Sequence, residues 1–172
     1  MKKLLFIVAI AAISTTTFAQ KKAAASSDSK IIFSLGVEAG LPVGSFGDFY
    51  SFGIGGSLQG EYLVAKELGI TLNAGYIDYL GKTINGVKVA AAGIVPVMAG
   101  LKYNFTGGPY IHGQLGAGFG TQSGAGTSFA YAAGIGYGFT KAIDAEVKYQ
   151  AYSNNGATSG TVGLRLAYNF GQ

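Results

Sequence analysis

The segment Thr161 to Phe170 reads T-V-G-L-R-L-A-Y-N-F. Taken at every second residue it separates cleanly. Val162, Leu164, Leu166, Tyr168 and Phe170 fall on one side, and Thr161, Gly163, Arg165, Ala167 and Asn169 on the other. A β-strand sends successive side chains to opposite faces, so this is a strand with one apolar face and one polar or small face. The apolar face ends in two aromatics, the residue type that settles where a membrane meets water. About ten residues is also what a tilted strand needs to cross hydrocarbon. The segment reads as the closing strand of a small membrane barrel, with its neighbours expected upstream.

Composition narrows the alternatives. A chain of 172 residues is one domain, or one domain with a short appendage. Hydrophobic residues make up 49% and charged residues 12%, the latter about half the share of a soluble globular chain. The 29 glycines against 3 prolines exclude collagen and argue against a proline-rich disordered chain. Eleven Tyr and eleven Phe with no Trp suit sheet faces. The formal charge of +4 includes Lys2 and Lys3, which are expected to leave with a leader, and the remaining basic residues are scattered. Nucleic acid is therefore not an expected partner. The absence of cysteine excludes a disulfide scaffold, a thiolate metal site, a cysteine nucleophile and a lipid-attachment cysteine.

The chain opens with an export signal. Lys2 and Lys3 precede the apolar run L-L-F-I-V-A-I-A-A-I (Leu4 to Ile13), and Thr17-Phe18-Ala19 places small residues where a signal peptidase reads. The apolar run is too short to be a spanning helix. Residues 1–19 are thus expected to be removed, 20–29 (Q-K-K-A-A-A-S-S-D-S) to form a flexible periplasmic lead-in, and 30–172 to form the barrel.

From Lys30 onward the pattern is alternation at period two, broken by clusters of Gly, Asn, Ser and Thr. Strands are expected at about 31–41, 51–63, 68–79, 89–105, 110–120, 128–139, 143–152 and 161–170. That is eight, an even number, with no helices between them to support a parallel sheet. Tight turns are expected at 64–67, 106–108 and 140–141, and loops at 42–50, 81–88, 121–127 and 153–159. Asn85-Gly86 in the second loop is the strongest short turn signal available. Pro96 lacks a ladder donor, which predicts a bulge or irregularity in its strand. The fold class is all-β, an eight-stranded antiparallel up-and-down transmembrane β-barrel behind an N-terminal signal peptide.

Alternation alone does not distinguish a membrane barrel from a soluble one; the placement of charge does. A soluble barrel puts charges outside and apolar groups inside. Here Glu38, Glu61, Lys102, Asp144, Glu146, Lys148 and Arg165 all share the face of small residues. Four acids with three bases suit a narrow lumen of mutually paired charges. The opposite face carries almost no mid-strand charge, a poor coat for a soluble protein. If the first strand starts in the periplasm, Tyr62, Tyr103, Phe105, Phe139, Tyr168 and Phe170 gather at one rim. Phe52, Tyr76, Phe119, Phe129 and Tyr149 gather at the other, giving the two aromatic girdles of a spanning barrel.

The repeated L-K-Y-N-F (Leu101 to Phe105) and L-A-Y-N-F (Leu166 to Phe170), the leader, the length and the aromatic end together resemble a known family. The chain is similar to the small outer-membrane β-barrels of the porin-family, OmpA- and OmpX-like eight-stranded type, especially the short ones of Bacteroidota-type bacteria. Two features depart from that pattern: Gly171 and Gln172 follow the last aromatic, and no peptidoglycan-binding domain is expected after the barrel. The resemblance implies localisation in the bacterial outer membrane, with membrane lipid as surroundings and assembly by the barrel-assembly machinery through the C-terminal strand. It also implies a monomer.

Candidate chemistry is sparse. Gly116-x-Gly118-x-Gly120 and Gly134-x-Gly136-x-Gly138 look superficially like phosphate loops, but no helix follows them. Their spacing puts each set on one strand face, where small residues leave room for long partners across a narrow barrel. His112 is the sole histidine and is read as a hydrogen-bonded lumen residue, since no serine or cysteine partner converges with it in sequence. No cofactor, metal or catalytic residue is expected. At eight strands the interior holds side chains rather than a wide pore. The expected role is structural or surface-interacting, with the barrel as anchor and four plain Gly/Ser/Thr/Asn loops exposed to an unknown ligand. The alternatives are a narrow conduit for small solutes and, least favoured, a lipid-modifying enzyme.

Overall fold

The computed structural model describes residues 31–170. The expected signal peptide (1–19) and lead-in (20–29) lie outside the described residues. Ten strands follow one another: β1 (Ile31–Val43), β2 (Tyr50–Leu63), β3 (Leu68–Gly81), β4 (Thr83–Ile84), β5 (Val87–Lys88), β6 (Ala92–Asn104), β7 (Pro109–Gly120), β8 (Thr127–Gly138), β9 (Ile143–Asn154) and β10 (Ala157–Phe170). A single helical turn, α1 (Ser45–Phe49), joins β1 to β2. Eight of the strands close into a barrel in the order β1-β10-β9-β8-β7-β6-β3-β2. Every neighbouring pair in it is antiparallel. Strands β4 and β5 pair only with each other, as a small hairpin outside the wall.

The alternation read from the sequence is realised inside out relative to a soluble protein. Phe33, Leu35, Val37 and Leu41 of β1 are exposed, while Ser34, Gly36, Glu38 and Gly40 between them are buried. On β10, Val162, Leu164, Leu166, Tyr168 and Phe170 are each 41–54% exposed, while Arg165 is 2% exposed. An apolar coat around a polar interior is favourable only where the surroundings are hydrocarbon. No helix among the described residues is long and apolar enough to cross a membrane. The wall strands run 12 to 14 residues, enough for a tilted strand to cross hydrocarbon and emerge on each side.

The two ends differ. One end carries the short turns 64–67, 105–108 and 139–142 and both ends of the described chain. The other carries the longer connections 44–49, 82–91 and 121–126, with a turn at 155–156. Outer-membrane barrels turn tightly on the periplasmic side and loop on the outside, which assigns the second end to the exterior.

Three local differences from the sequence reading have identifiable causes. The loop expected at 42–50 contains α1. The strand expected from Val89 begins at Ala92, because the chain before it folds into the β4–β5 hairpin around Asn85-Gly86 (φ 50 and 80). The loop expected at 153–159 is instead a two-residue turn at Asn155-Gly156 (φ 49 and 82), with pairing from Ala157↔Asn154 onward. Two positive φ values give a turn whose twist matches the flanking strands, so the ladder runs to its edge. At Pro96 the expected irregularity takes the form of a break in one ladder, without a bulge. The β3–β6 ladder pairs Ala74 with Val97 and Ile77 with Ile94 in one register, without pairs in between. The missing proline N–H breaks the ladder there and shifts nothing.

The architecture predicts heat-modifiable migration. Protein folded in detergent should run differently on SDS gels before and after boiling. Identical migration, combined with solubility in the absence of detergent, would contradict a lipid-facing wall.

Candidate functional site

The barrel brings nearly all of its buried polarity into one column, the lumen. Its periplasmic layer is built from β2, β6, β7, β9 and β10. Lys102 Nζ lies 2.9 Å from Glu61 Oε2, and Asn104 Nδ2 donates to Glu61 Oε1 at 3.1 Å. The same ammonium sits 4.3 Å from the ring centroid of Tyr110. The Tyr110 hydroxyl donates to Asp144 Oδ1 at 2.7 Å, and Asn169 Nδ2 donates to Asp144 Oδ2 at 2.9 Å. Below this layer a vestibule of about 420 Å3 opens at the periplasmic mouth, lined by Glu61, Lys66, Lys102, Tyr110, Lys141 and Asp144 among others.

The middle layer crosses the seam where the barrel closes. Glu38 on β1 and Arg165 on β10 are cross-strand partners. Lys148 Nζ approaches Glu38 Oε2 at 2.8 Å, whereas Arg165 Nε stands 3.9 Å from Glu38 Oε1. Arg165 spends its donors elsewhere: Nε donates to Ser57 Oγ at 3.0 Å and a terminal nitrogen to Ser34 Oγ at 2.8 Å. One side chain thereby ties β10 to β1 and β2. Beside it, Thr71 Oγ1 and His112 Nε2 are 2.9 Å apart, and His112 Nδ1 lies 3.2 Å from Glu146 Oε1.

The outer layer is aromatic and apolar. Tyr79, Met98 and Tyr152 are 0%, 1% and 3% exposed, and Met98 and Tyr152 pack with Ala130 and Ala132. Thr161 Oγ1 donates to the Tyr79 hydroxyl at 3.2 Å, Gln150 Nε2 donates to the Tyr152 hydroxyl, and Phe46 of α1 sets its ring edge on Tyr79, 4.9 Å between centroids. These groups fill the lumen beneath the external loops.

All seven charged residues read from the sequence point inward, each 9% exposed or less. The structure does not pair them only with one another. Glu61 meets Lys102 and Glu38 meets Lys148, but Asp144 is held by tyrosine and asparagine, and Glu146 by histidine. Glycines opposite make the room. A Cβ on Gly36 would stand 2.6 Å from Arg165 Nε, one on Gly134 2.5 Å from Glu146 Oε1, and one on Gly136 2.1 Å from Tyr110 Cζ. The glycine runs are spacers for long side chains.

The aromatic residues assigned to the rims face outward. Tyr62, Tyr76, Tyr103, Phe105, Phe119, Phe129, Phe139, Tyr149, Tyr168 and Phe170 are 41–62% exposed, and Phe52 is half-buried beside a register shift at Tyr50/Phe52. At the periplasmic end they gather in pairs: Tyr103–Phe105, Tyr137–Phe139 and Tyr168–Phe170, with centroids 4.9, 5.3 and 5.2 Å apart.

Sequence reasoning left out Tyr79, Met98, Tyr110 and Tyr152, which close and floor the lumen. The signal was present. Each shares parity with a polar lumen residue on its strand: Tyr79 with Asn73, Met98 with Lys102, Tyr110 with His112, and Tyr152 with Gln150. Thr71 as partner of His112 is 41 residues away in sequence and invisible without the register.

The Thr71–His112–Glu146 array has the connectivity of an acyl-transfer triad, hydroxyl to imidazole to carboxylate. Its surroundings do not suit one: Thr71 is 1% and His112 3% exposed, so a substrate carbonyl has no approach. No group of three or more His, Asp or Glu side chains among the described residues is placed to hold a metal ion.

The ion pair at the seam generates an ordered prediction. Lys148→Met should lower stability to urea by about 3 kcal/mol, because it leaves Glu38 buried without its close partner. Adding Glu38→Gln should recover a large part of that loss. Purely additive losses would argue against the pairing.

Comparison with known proteins agrees with this geometry. The family model described as outer membrane protein beta-barrel domain matches residues 8–170. Among solved structures, the Yersinia pestis outer membrane protein Ail in a phospholipid bilayer nanodisc aligns with TM-score 0.60 and 19% identity, covering 83% of this chain and 100% of that one. Neisserial surface protein A aligns with TM-score 0.53 and 16% identity, over 81% and 97%. A de novo designed transmembrane beta-barrel aligns with TM-score 0.54 and 14% identity, over 85% and 100%. No curated protein sequence matches the chain. At these identities the solved structures share the fold, while the family model spans the entire described wall. The chain belongs to the outer membrane protein beta-barrel domain family and resides in the bacterial outer membrane.

Proposed function

We propose that the protein is a surface-presenting anchor: a rigid, plugged barrel that holds its external connections at the cell surface for interaction with a partner. The observation that carries this reading is the filled lumen. Tyr79, Met98, Tyr152 and Arg165 are each 3% exposed or less, so the vestibule on the periplasmic side is blind. A conduit would need a continuous polar path of ion width. The external side offers exposed groups instead, including Phe49 at 50% and Val87 at 70%, on α1 and the β4–β5 hairpin.

The lumen charges then serve stability, as an inner scaffold of paired and hydrogen-bonded groups. The outward aromatics serve as interfacial girdles. The protein acts as a monomer, is not an enzyme, and takes no cofactor or nucleic acid. Its insertion runs through the barrel-assembly machinery, with the β10 strand as the recognised element. The extracellular ligand would meet residues 44–49, 82–91 and 121–126.

Two measurements test this. In planar bilayers the folded protein should give no stepwise conductance; reproducible steps would favour a solute conduit. Replacing residues 83–88 by a short Gly-Ser linker should leave the heat-dependent gel shift unchanged, since β4 and β5 pair only with each other. Loss of the shift would show that the hairpin holds the wall and is not a presented element.

A further inference from the structure

Between the Glu38–Lys148 ion pair and the Tyr79 hydroxyl, the lumen contains a small cavity. Its lining includes Glu38, Tyr79, Lys148, Gln150, Thr161 and Gly163. The five side chains among them are 6% exposed or less. About 10 Å3 lies open to the centre of a water-sized sphere, which is room for one water molecule. The lining supplies more polar capacity than the protein uses. Gln150 Nε2 donates to the Tyr152 hydroxyl, and Gln150 Oε1 has no hydrogen-bond partner. Exchanging the amide nitrogen and oxygen moves the deficit to the other atom without removing it. Lys148 spends one of its three N–H donors on Glu38.

We propose that this cavity is a binding site for a single structural water, donating to Gln150 Oε1 and to Glu38 and accepting from Lys148. Three hydrogen bonds is the usual complement of a buried water. The site joins β1 to β9, strands that do not pair directly, through the ion pair at the seam. It also explains why position 163 is glycine. A Cβ there would meet its nearest protein atom, Ala39 O, at 3.4 Å, an ordinary contact, so the wall itself does not demand glycine. What the methyl would displace is the water.

The test combines spectroscopy with one variant and its repair. In the folded protein in detergent micelles, NMR cross-relaxation should show a long-lived water next to the Gln150 side-chain amide and the Thr161 methyl. Gly163→Ala should abolish those signals and raise the unfolding equilibrium constant in urea about tenfold, because Gln150 Oε1 is left buried and unpaired. Adding Gln150→Leu to Gly163→Ala should restore most of the stability, since no amide remains to satisfy. Absence of a long-lived water from the unsubstituted protein would overturn the proposal. So would Gly163→Ala stability equal to or above that of the unsubstituted protein. Should Gly163→Ala fail to fold, the cross-relaxation measurement on the unsubstituted protein decides alone.

Discussion

Hydrocarbon offers no water to an unpaired amide, and that single constraint organises this molecule. Each backbone N–H and C=O inside the bilayer must find a partner within the protein, so a sheet that crosses must close on itself. Closure is the pairing of β1 with β10, from Phe33↔Phe170 to Val43↔Gly160. The first and last strands of the described chain can meet only after everything between them has been laid down in register. Side chains also bridge the seam: Arg165 reaches Ser57 and Ser34, and Lys148 reaches Glu38. Backbone closure and side-chain pairing reinforce each other at the same place.

Closure then inverts the usual division of labour between faces. The outer surface gains nothing from burying apolar groups against each other, because lipid is as apolar as they are. The interior is too narrow for a hydrated pore and too polar for a hydrophobic core. It is stabilised by pairing most of its long polar side chains from across the barrel, with glycine opposite where the reach is tight, as at Gly36 beneath Arg165 and Gly136 beneath Tyr110. Such a network is costly when one member is missing, since the others are left buried and unmatched. Asn73 Oδ1 and Gln114 Nε2, on β3 and β7, are buried without partners and mark where this network is thinnest.

The consequence for function is a separation of roles along the barrel axis. The buried layer of Tyr79, Met98 and Tyr152 fills the lumen beneath the external connections. Beyond that layer lie α1, whose Phe46 packs on Tyr79, and the β4–β5 hairpin, which pairs with no strand of the closed sheet. Loops of this kind carry recognition on many rigid scaffolds.

Much of this was legible from residue order alone, because a strand's period of two is a local property. The parity of Glu38, Glu61, Lys102, Asp144, Glu146, Lys148 and Arg165 assigned each to the lumen without knowledge of any neighbour. Asn85-Gly86 announced its turn for the same reason, while Asn155-Gly156, an equally local signal, was hidden within a polar stretch that resembled a loop. What the sequence did not determine was which side chains meet. The partnership of Thr71 with His112, of Tyr110 with Asp144, and of Arg165 with two serines depends on register and on the stagger of eight strands around an axis. Those are properties of the closed barrel, because a contact across a lumen joins residues separated by tens to more than a hundred positions. Facing was written in the chain, and pairing was decided only when the sheet closed.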